Sequence, residues 1–195
     1  SAPPRPDVEL PARTVYAIAF VSGFVTLGLE VLWTRMYAQV LQNPVYTSAM
    51  ILTVFLLALA VGSALASRLC RLAAPPALVL FWLLTASAVL VGLTPLAFQH
   101  LTSGLEPLGA GRGFSGYVQL VFAHSFGLLL VPGLVIGSVF PYLMKLGESR
   151  VTAAGRTVGQ LAAVNTLAAI LGSLGAGFVL LETFGLWASL LSMAA

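Results

Sequence analysis

A carboxylate stands inside an apolar stretch near the start of the chain. In GFVTLGLEVLWTRMY, residues 23 to 37, Glu30 and Arg35 interrupt residues that otherwise suit a membrane-crossing helix. Charged side chains are costly in lipid, and those found there usually face the interior of a bundle and have a function. Glu30 is therefore the first candidate functional residue, with a structural role as the equal alternative. Its chemistry would be to bind a cation or to accept a proton.

Helix geometry indicates what lies beside Glu30. Residues three, four and seven positions away share its face, and among these Thr26 and Thr34 carry hydroxyl groups. Arg35 is five residues further on, about 140° around the helix, so an intrahelical ion pair with Glu30 is not expected. We predict that Arg35 anchors the helix at the membrane interface, and that Glu30 faces the bundle and needs a partner there.

Three further polar residues lie within or beside apolar segments. His124 suits either a hydrogen bond to a neighbouring carbonyl or a proton relay, and Asn165 either a contact between helices or a substrate contact. Glu182 is most simply an interfacial residue. The predicted ligand-binding residues are thus Glu30, Thr26, Thr34, His124 and Asn165.

No catalytic residue and no metal site are predicted. No second histidine lies in a predicted span to form a metal-binding pair with His124. The single cysteine, Cys70, excludes an internal disulfide and any site built from several cysteines.

The composition is that of a membrane protein. Only 8% of the 195 residues are charged and 59% are hydrophobic. Apolar runs of about 20 residues match the hydrocarbon core of a bilayer. Because these runs are continuous and do not alternate, they predict helices and not barrel strands.

Six spans are predicted. They cover residues 14–35, 45–65, 75–98, 117–144, 157–181 and 185 onward, the last being truncated by the end of the sequence. Residues 1–13 are predicted to be a mobile tail on the cytoplasmic side. Small residues four apart predict close helix packing, at Gly133 with Gly137, at Gly172 with Ala176, and along Ala58, Gly62 and Ala66.

The basic residues predict the orientation. Seven of the nine lie in the N-terminal tail or in the connections after the second and fourth predicted spans, which all lie on the same side of the membrane. They are Arg5, Arg13, Arg68, Arg71, Lys145, Arg150 and Arg156. The positive-inside rule then puts the N-terminus in the cytoplasm. Since the positive net charge follows this topology, it indicates contact with anionic lipid and not nucleic-acid binding.

Four blocks of the sequence resemble a known family. These are GLEVLWTRMY, TVFLLALAVGSALASRL, GSVFPYLMKL and VGQLAAVNTLAAILGSLGAGFVL. They are similar to the membrane domain of the spermidine-synthase-like membrane proteins of bacteria. The resemblance covers nearly the whole chain after the tail, and it implies an all-α bundle similar to half of a major-facilitator transporter, in the bacterial inner membrane.

The resemblance also implies chemistry outside this chain. In that family the helices precede a cytoplasmic aminopropyltransferase-like domain, whose co-substrate would be decarboxylated S-adenosylmethionine. Such a transferase needs a glycine-rich strand–loop–helix and an acidic residue that accepts a proton from the amine. Residues 1–195 contain neither, because no strand precedes the GAGRG run at 109–113. The chain itself therefore needs no cofactor, and a parent polypeptide or a partner would be the transferase.

Three functions remain open. The first is a module that anchors the transferase-like domain and binds or passes a polyamine-type substrate. The second is a half-size transporter that pairs with a second copy or a second membrane half. The third is a structural or regulatory subunit of a membrane complex. Each has the lipid bilayer as a partner, and the first is favoured by the family blocks.

Overall fold

The computed structural model describes residues 10–41, 44–72, 74–109, 111, 113–148 and 154–194. These residues form helices and no strands, so the all-helical prediction is confirmed for them. The helices are α1 (Ala12–Tyr37), α2 (Pro44–Leu69), α3 (Pro76–Leu101), α4 (Phe114–Glu148), α5 (Ala154–Leu174) and α6 (Leu181–Ser192), with a π-helical segment at Gly175–Leu180 between α5 and α6.

Five helical stretches are long and apolar enough to cross a membrane. They are Ala12–Tyr37, Ser48–Leu69, Pro76–Leu101, Phe114–Leu146 and Gly155–Ser192. The last stretch runs through α5, the π-helical segment and α6, whereas the sequence predicts two separate spans here. Most of the predicted tail, residues 1–9, lies outside the described residues, while Ala12 and Arg13 already belong to α1.

The helical stretch that ends in α6 is broken at Gly185, where the sequence predicts a new span. Its backbone has φ 71° and ψ 174°, a conformation that is open essentially only to glycine. The Ser189 hydroxyl lies 2.8 Å from the Leu180 carbonyl oxygen and 2.6 Å from that of Gly185, and it can donate to either. The helix after the break therefore packs back against the π-helical segment.

Two helix pairs dominate the packing, α1 with α5 and α2 with α4. In the first pair, a Cβ added at Gly23 would clash with the Asn165 carbonyl oxygen, and one added at Gly172 would clash with the Phe24 carbonyl oxygen. Glycine is required at these points because the two backbones touch. Close approach of this kind also allows Cα–H groups to contact carbonyl oxygens across the helices.

The second pair is built in the same way. A Cβ added at Gly62 would lie 2.5 Å from the Leu134 carbonyl oxygen, and one added at Gly133 would lie 2.9 Å from the Cβ of Ala58. At Gly137 it would lie 2.9 Å from the Cα of Leu59. The predicted small-residue contacts at Gly62, Gly133 and Gly137 are confirmed.

The two pairs are related by a constant shift along the sequence. Gly172 follows Gly62 at the same sequence separation at which Gly133 follows Gly23, and we call this separation the repeat offset. The start of α5 follows the start of α2 at the same offset. The decapeptides LALAVGSALA at 57–66 and LAAILGSLGA at 167–176 are also related by it. We conclude that α1 to α3 and α4 to α6 form an internal repeat.

Burial follows the same repeat. Core positions that recur at the repeat offset are Ala19 and Leu129, Leu29 and Val139, Leu32 and Tyr142, Trp33 and Leu143, Ile51 and Leu161, Ala58 and Ala168, Ala66 and Ala176, Leu80 and Leu190, and Leu83 and Met193. The repeat is inverted, because one core cluster joins residues near the starts of α1, α3 and α5 to residues near the ends of α2 and α4.

Candidate functional site

Glu30 lies in the second half of α1 and is half-buried. Its carboxylate forms no hydrogen bond and no ion pair with any residue that the structure describes. The flanking threonines on the same face, Thr26 and Thr34, are also half-buried, and the Thr26 hydroxyl donates to the Ser22 carbonyl oxygen at 2.6 Å. Glu30 is therefore the charged group on this face, and it is left without a protein partner in the described part of the chain.

Arg35 is exposed at the end of the same helix. It makes no ion pair with Glu30, as the helical spacing predicts. An exposed guanidinium in the last turn is placed where it can reach the membrane interface and can interact favourably with the negative end of the helix dipole.

His124 lies in the first half of α4 and is half-buried. Its Nδ1 atom is 3.2 Å from the carbonyl oxygen of Leu120, one turn earlier in the same helix. The structure thus places it next to a neighbouring carbonyl, and within the described residues it has no hydrogen bond to Glu30.

Asn165 lies at the crossing of α1 and α5. Its side-chain oxygen Oδ1 is buried without a hydrogen-bond partner in the described part of the chain. A Cβ added at Gly23 would lie 2.9 Å from this oxygen, so Oδ1 faces the Gly23 Cα–H group. Weak Cα–H donors of this kind are the available compensation at close helix crossings. Asn165 therefore contributes to helix packing.

The five predicted ligand residues do not form one cluster. Asn165 lies opposite Gly23, which precedes Glu30 by seven residues, or roughly 10 Å along the helix axis. His124 is held by its own helix. The structure groups Glu30 with Thr26 and Thr34 on one face of α1, and it leaves His124 and Asn165 in separate surroundings.

Sequence reasoning missed a buried aromatic and hydroxyl cluster beside this face. The Trp33 indole Nε1 is 3.5 Å from the Thr94 hydroxyl oxygen, and the Tyr37 ring meets the Phe98 ring edge-on with centroids 4.9 Å apart. Trp33 and Tyr37 are both fully buried. Their spacing of four residues within the family-like block was the available signal for this cluster.

Ser125 on α4 completes the cluster. Its side chain is fully buried and its Oγ atom has no hydrogen bond of good geometry among the described residues, although the Tyr37 side chain interacts with it. Buried hydroxyl groups usually find a partner or hold an ordered water molecule. The end of α1 therefore packs on a polar contact to α4 as well as on aromatic rings.

Other classes of site find no support among the described residues. No group of three or more His, Cys, Asp or Glu side chains could hold a metal ion there. Glu182 is exposed near the break at Gly185, and it forms no hydrogen bond with Glu30 in the described ranges. A half-buried carboxylate with two hydroxyl neighbours can bind a proton or a cation.

Comparison with known proteins adds no assignment. No family model, no curated protein and no solved structure matches the chain. The features of this chain that bear on function are its helices, Glu30 and the family-like blocks of the sequence.

Proposed function

We propose that the chain is the membrane module of a spermidine-synthase-like protein of the bacterial inner membrane, and that Glu30 binds a cationic amine of the polyamine type. The observation that carries this proposal is the half-buried carboxylate of Glu30, which has no partner among the described residues. An intramembrane carboxylate usually has a partner. The described residues supply none for Glu30, and a cationic amine or a proton would be such a partner.

The wider role rests on the family-like blocks. In this proposal the six-span module, with its N-terminus in the cytoplasm, anchors an aminopropyltransferase-like domain that uses decarboxylated S-adenosylmethionine. The membrane module would bind the substrate or product of that domain. The five long apolar helices support membrane residence, and the resemblance supports the linked domain.

The test is equilibrium binding of labelled spermidine to the purified protein in lipid nanodiscs. Loss of a charge-assisted contact costs about 1.5–3 kcal/mol, so Glu30→Gln should weaken binding by about tenfold or more. Glu182→Gln, which removes an exposed carboxylate of the same type, is the matched control and should bind as the parent does.

Folding must be measured beside binding. Glu30→Gln should keep the parent's elution volume and melting temperature, because no described protein partner loses a contact. Unchanged spermidine affinity in a folded variant would show that Glu30 does not contact the amine. Absence of binding in the parent would exclude the polyamine proposal, and loss of folding in Glu30→Gln alone would make the carboxylate structural.

A second candidate is a half-size transporter of the major-facilitator type. The internal inverted repeat favours it, because many secondary transporters are built from such repeats. Labelled spermidine should then accumulate in proteoliposomes that contain the chain together with its second copy or second half. Binding without accumulation would support the anchoring module. If spermidine neither binds nor accumulates, a structural subunit is the remaining candidate.

A further inference from the structure

A half-buried ammonium group lies where α2 packs on α4, at the end of the bundle where α1 and α5 begin. Lys145 of α4 donates a hydrogen bond from its Nζ atom to the hydroxyl oxygen of Ser67 on α2. The Ser67 hydroxyl in turn donates to the Ser63 carbonyl oxygen at 3.1 Å. Because an ammonium group carries three donors, two N–H groups of Lys145 have no partner among the described residues.

The internal repeat does not require this contact. The equivalent of Lys145 at the repeat offset is Arg35, and the equivalent of Ser67 is Gly177, which has no hydroxyl group. Arg35 is exposed at the end of α1, whereas Lys145 lies against α2. The contact is therefore specific to the α2–α4 pair and is not a consequence of the shared helix packing.

A second cation lies beside the contact. Arg71 follows Ser67 by four residues, and its backbone N–H donates to the Arg68 carbonyl oxygen, so the chain is still turning here. Residues at this spacing on a helical turn share a face, with Cβ atoms about 5–6 Å apart. The Arg71 side chain is exposed. It can therefore reach the space next to the Lys145 ammonium from the aqueous side.

The described side chains at this end include no counter-charge for the two cations. The described carboxylates belong to Glu30 in the second half of α1, Glu106 after α3, and Glu182 beyond the π-helical segment, all toward the opposite end of the inverted repeat. Neighbouring cations repel each other, and an anion that contacts both offsets the repulsion. A phosphate group has several acceptor oxygens, so it can accept from an ammonium and a guanidinium at once.

The depth of the two cations matches the headgroup layer of a bilayer. Ser67 lies in the last turn of the apolar stretch Ser48–Leu69, and Lys145 lies in the last turn of Phe114–Leu146. The headgroup region begins where such apolar stretches end. Basic side chains at this level attract anionic lipids.

We propose that Lys145 and Arg71 bind the phosphate group of one anionic phospholipid, with Ser67 holding the Lys145 ammonium in position. The site differs from a general attraction between the basic end of the chain and anionic lipid, because it depends on where the charges lie and not on their number. It is independent of Glu30, which lies toward the other end of the bundle.

Native mass spectrometry tests the site in the 195-residue chain, titrated in detergent with dioleoylphosphatidylglycerol. The parent should bind one lipid more tightly than any further lipid. Lys145→Gln should weaken this binding about tenfold or more, as expected for the loss of a charge-assisted contact, and Lys145→Arg should retain most of it. Arg71→Gln changes an exposed residue, so it should weaken binding while the melting temperature stays that of the parent.

Arg13→Gln is the matched control, because it removes the same charge at the same end of the bundle. Arg13 lies one turn before Tyr16, whose hydroxyl donates to Gln160 Oε1 on α5 at 2.9 Å, so Arg13 belongs to the other helix pair. This variant should bind the lipid as the parent does. Equal losses of affinity in Arg13→Gln and Lys145→Gln would show diffuse attraction and would overturn the proposal.

Two further arms identify the anion. Inorganic phosphate should displace the lipid only in large molar excess, because it has no acyl chains; displacement at equal concentration would keep the site and make free phosphate its occupant. Failure of the parent to bind either anion would overturn the proposal. So would binding that appears only in Glu148→Gln, because Glu148, three residues after Lys145, would then be the partner of the ammonium.

Discussion

At the scale of single residues, the decisive distinction is between polar groups that the protein satisfies and those that it does not. His124 has a carbonyl oxygen of its own helix, whereas Oδ1 of Asn165 is buried against Gly23 without a hydrogen-bond partner among the described residues. Glu30 has neither a hydrogen bond nor an ion pair with the described residues. The free-energy cost of placing these polar side chains in lipid could be predicted from residue type alone. The surroundings of each side chain could not, because they depend on which helices pack together.

Gly185 gives a prediction at this scale. Its φ of 71° and ψ of 174° cost a residue with a Cβ about 1–3 kcal/mol. Gly185→Ala should therefore lower the free energy of unfolding by about that amount and loosen the contact of α6 with the π-helical segment, measured by thermal unfolding in detergent.

Gly127→Ala is the matched control for this prediction. Gly127 lies inside α4, and a Cβ added there meets nothing within 4 Å. Alanine should stabilise the helix slightly at that position. Equal changes in the free energy of unfolding for the two substitutions would contradict the claim that the Gly185 backbone conformation requires glycine.

At the scale of helices, the close glycine crossings define the fold. Small residues spaced by four were recognisable in the sequence at Gly62, Gly133, Gly137 and Gly172. The helix that each of them contacts could not be recognised from the sequence, because any small-residue face can pack on another. The structure pairs α1 with α5 and α2 with α4, and both pairs bring backbones into contact at glycine.

Equivalent glycines should respond alike. Gly172→Ala and Gly62→Ala each place a methyl group against the backbone of a neighbouring helix, so each should destabilise the protein by about 1–3 kcal/mol. Gly159→Ala, in α5 with open space around it, should be neutral or stabilising. Thermal unfolding of the three variants measures the effect, and tolerance of alanine at only one of the two crossings would contradict their equivalence.

At the scale of the whole molecule, the chain is an inverted repeat of helices suited to a bilayer. Hydropathy was sufficient to predict the apolar helices, since continuous runs of this length have few other uses. The repeat was weak in sequence and was detectable only in 57–66 and 167–176, because most core positions exchange one apolar residue for another. Its constant shift became evident from packing and burial.

Orientation can be measured with single cysteines in a Cys70→Ser background. Glu106→Cys lies in the exposed α3–α4 loop and Leu72→Cys lies after α2, on the opposite side of the inverted repeat. With the N-terminus in the cytoplasm, an impermeant maleimide should label Glu106→Cys in intact cells and should label Leu72→Cys only after permeabilisation. The reverse pattern would invert the orientation, and labelling of both from outside would contradict the helix arrangement.

The central claim is that the face of α1 around Glu30 contacts a cationic amine. Photo-crosslinking with a diazirine derivative of spermidine, followed by mass spectrometry, locates that contact without any substitution. We predict labelling within residues 23–37 that excess spermidine suppresses. Labelling confined to other helices, or labelling that spermidine does not compete, would contradict it.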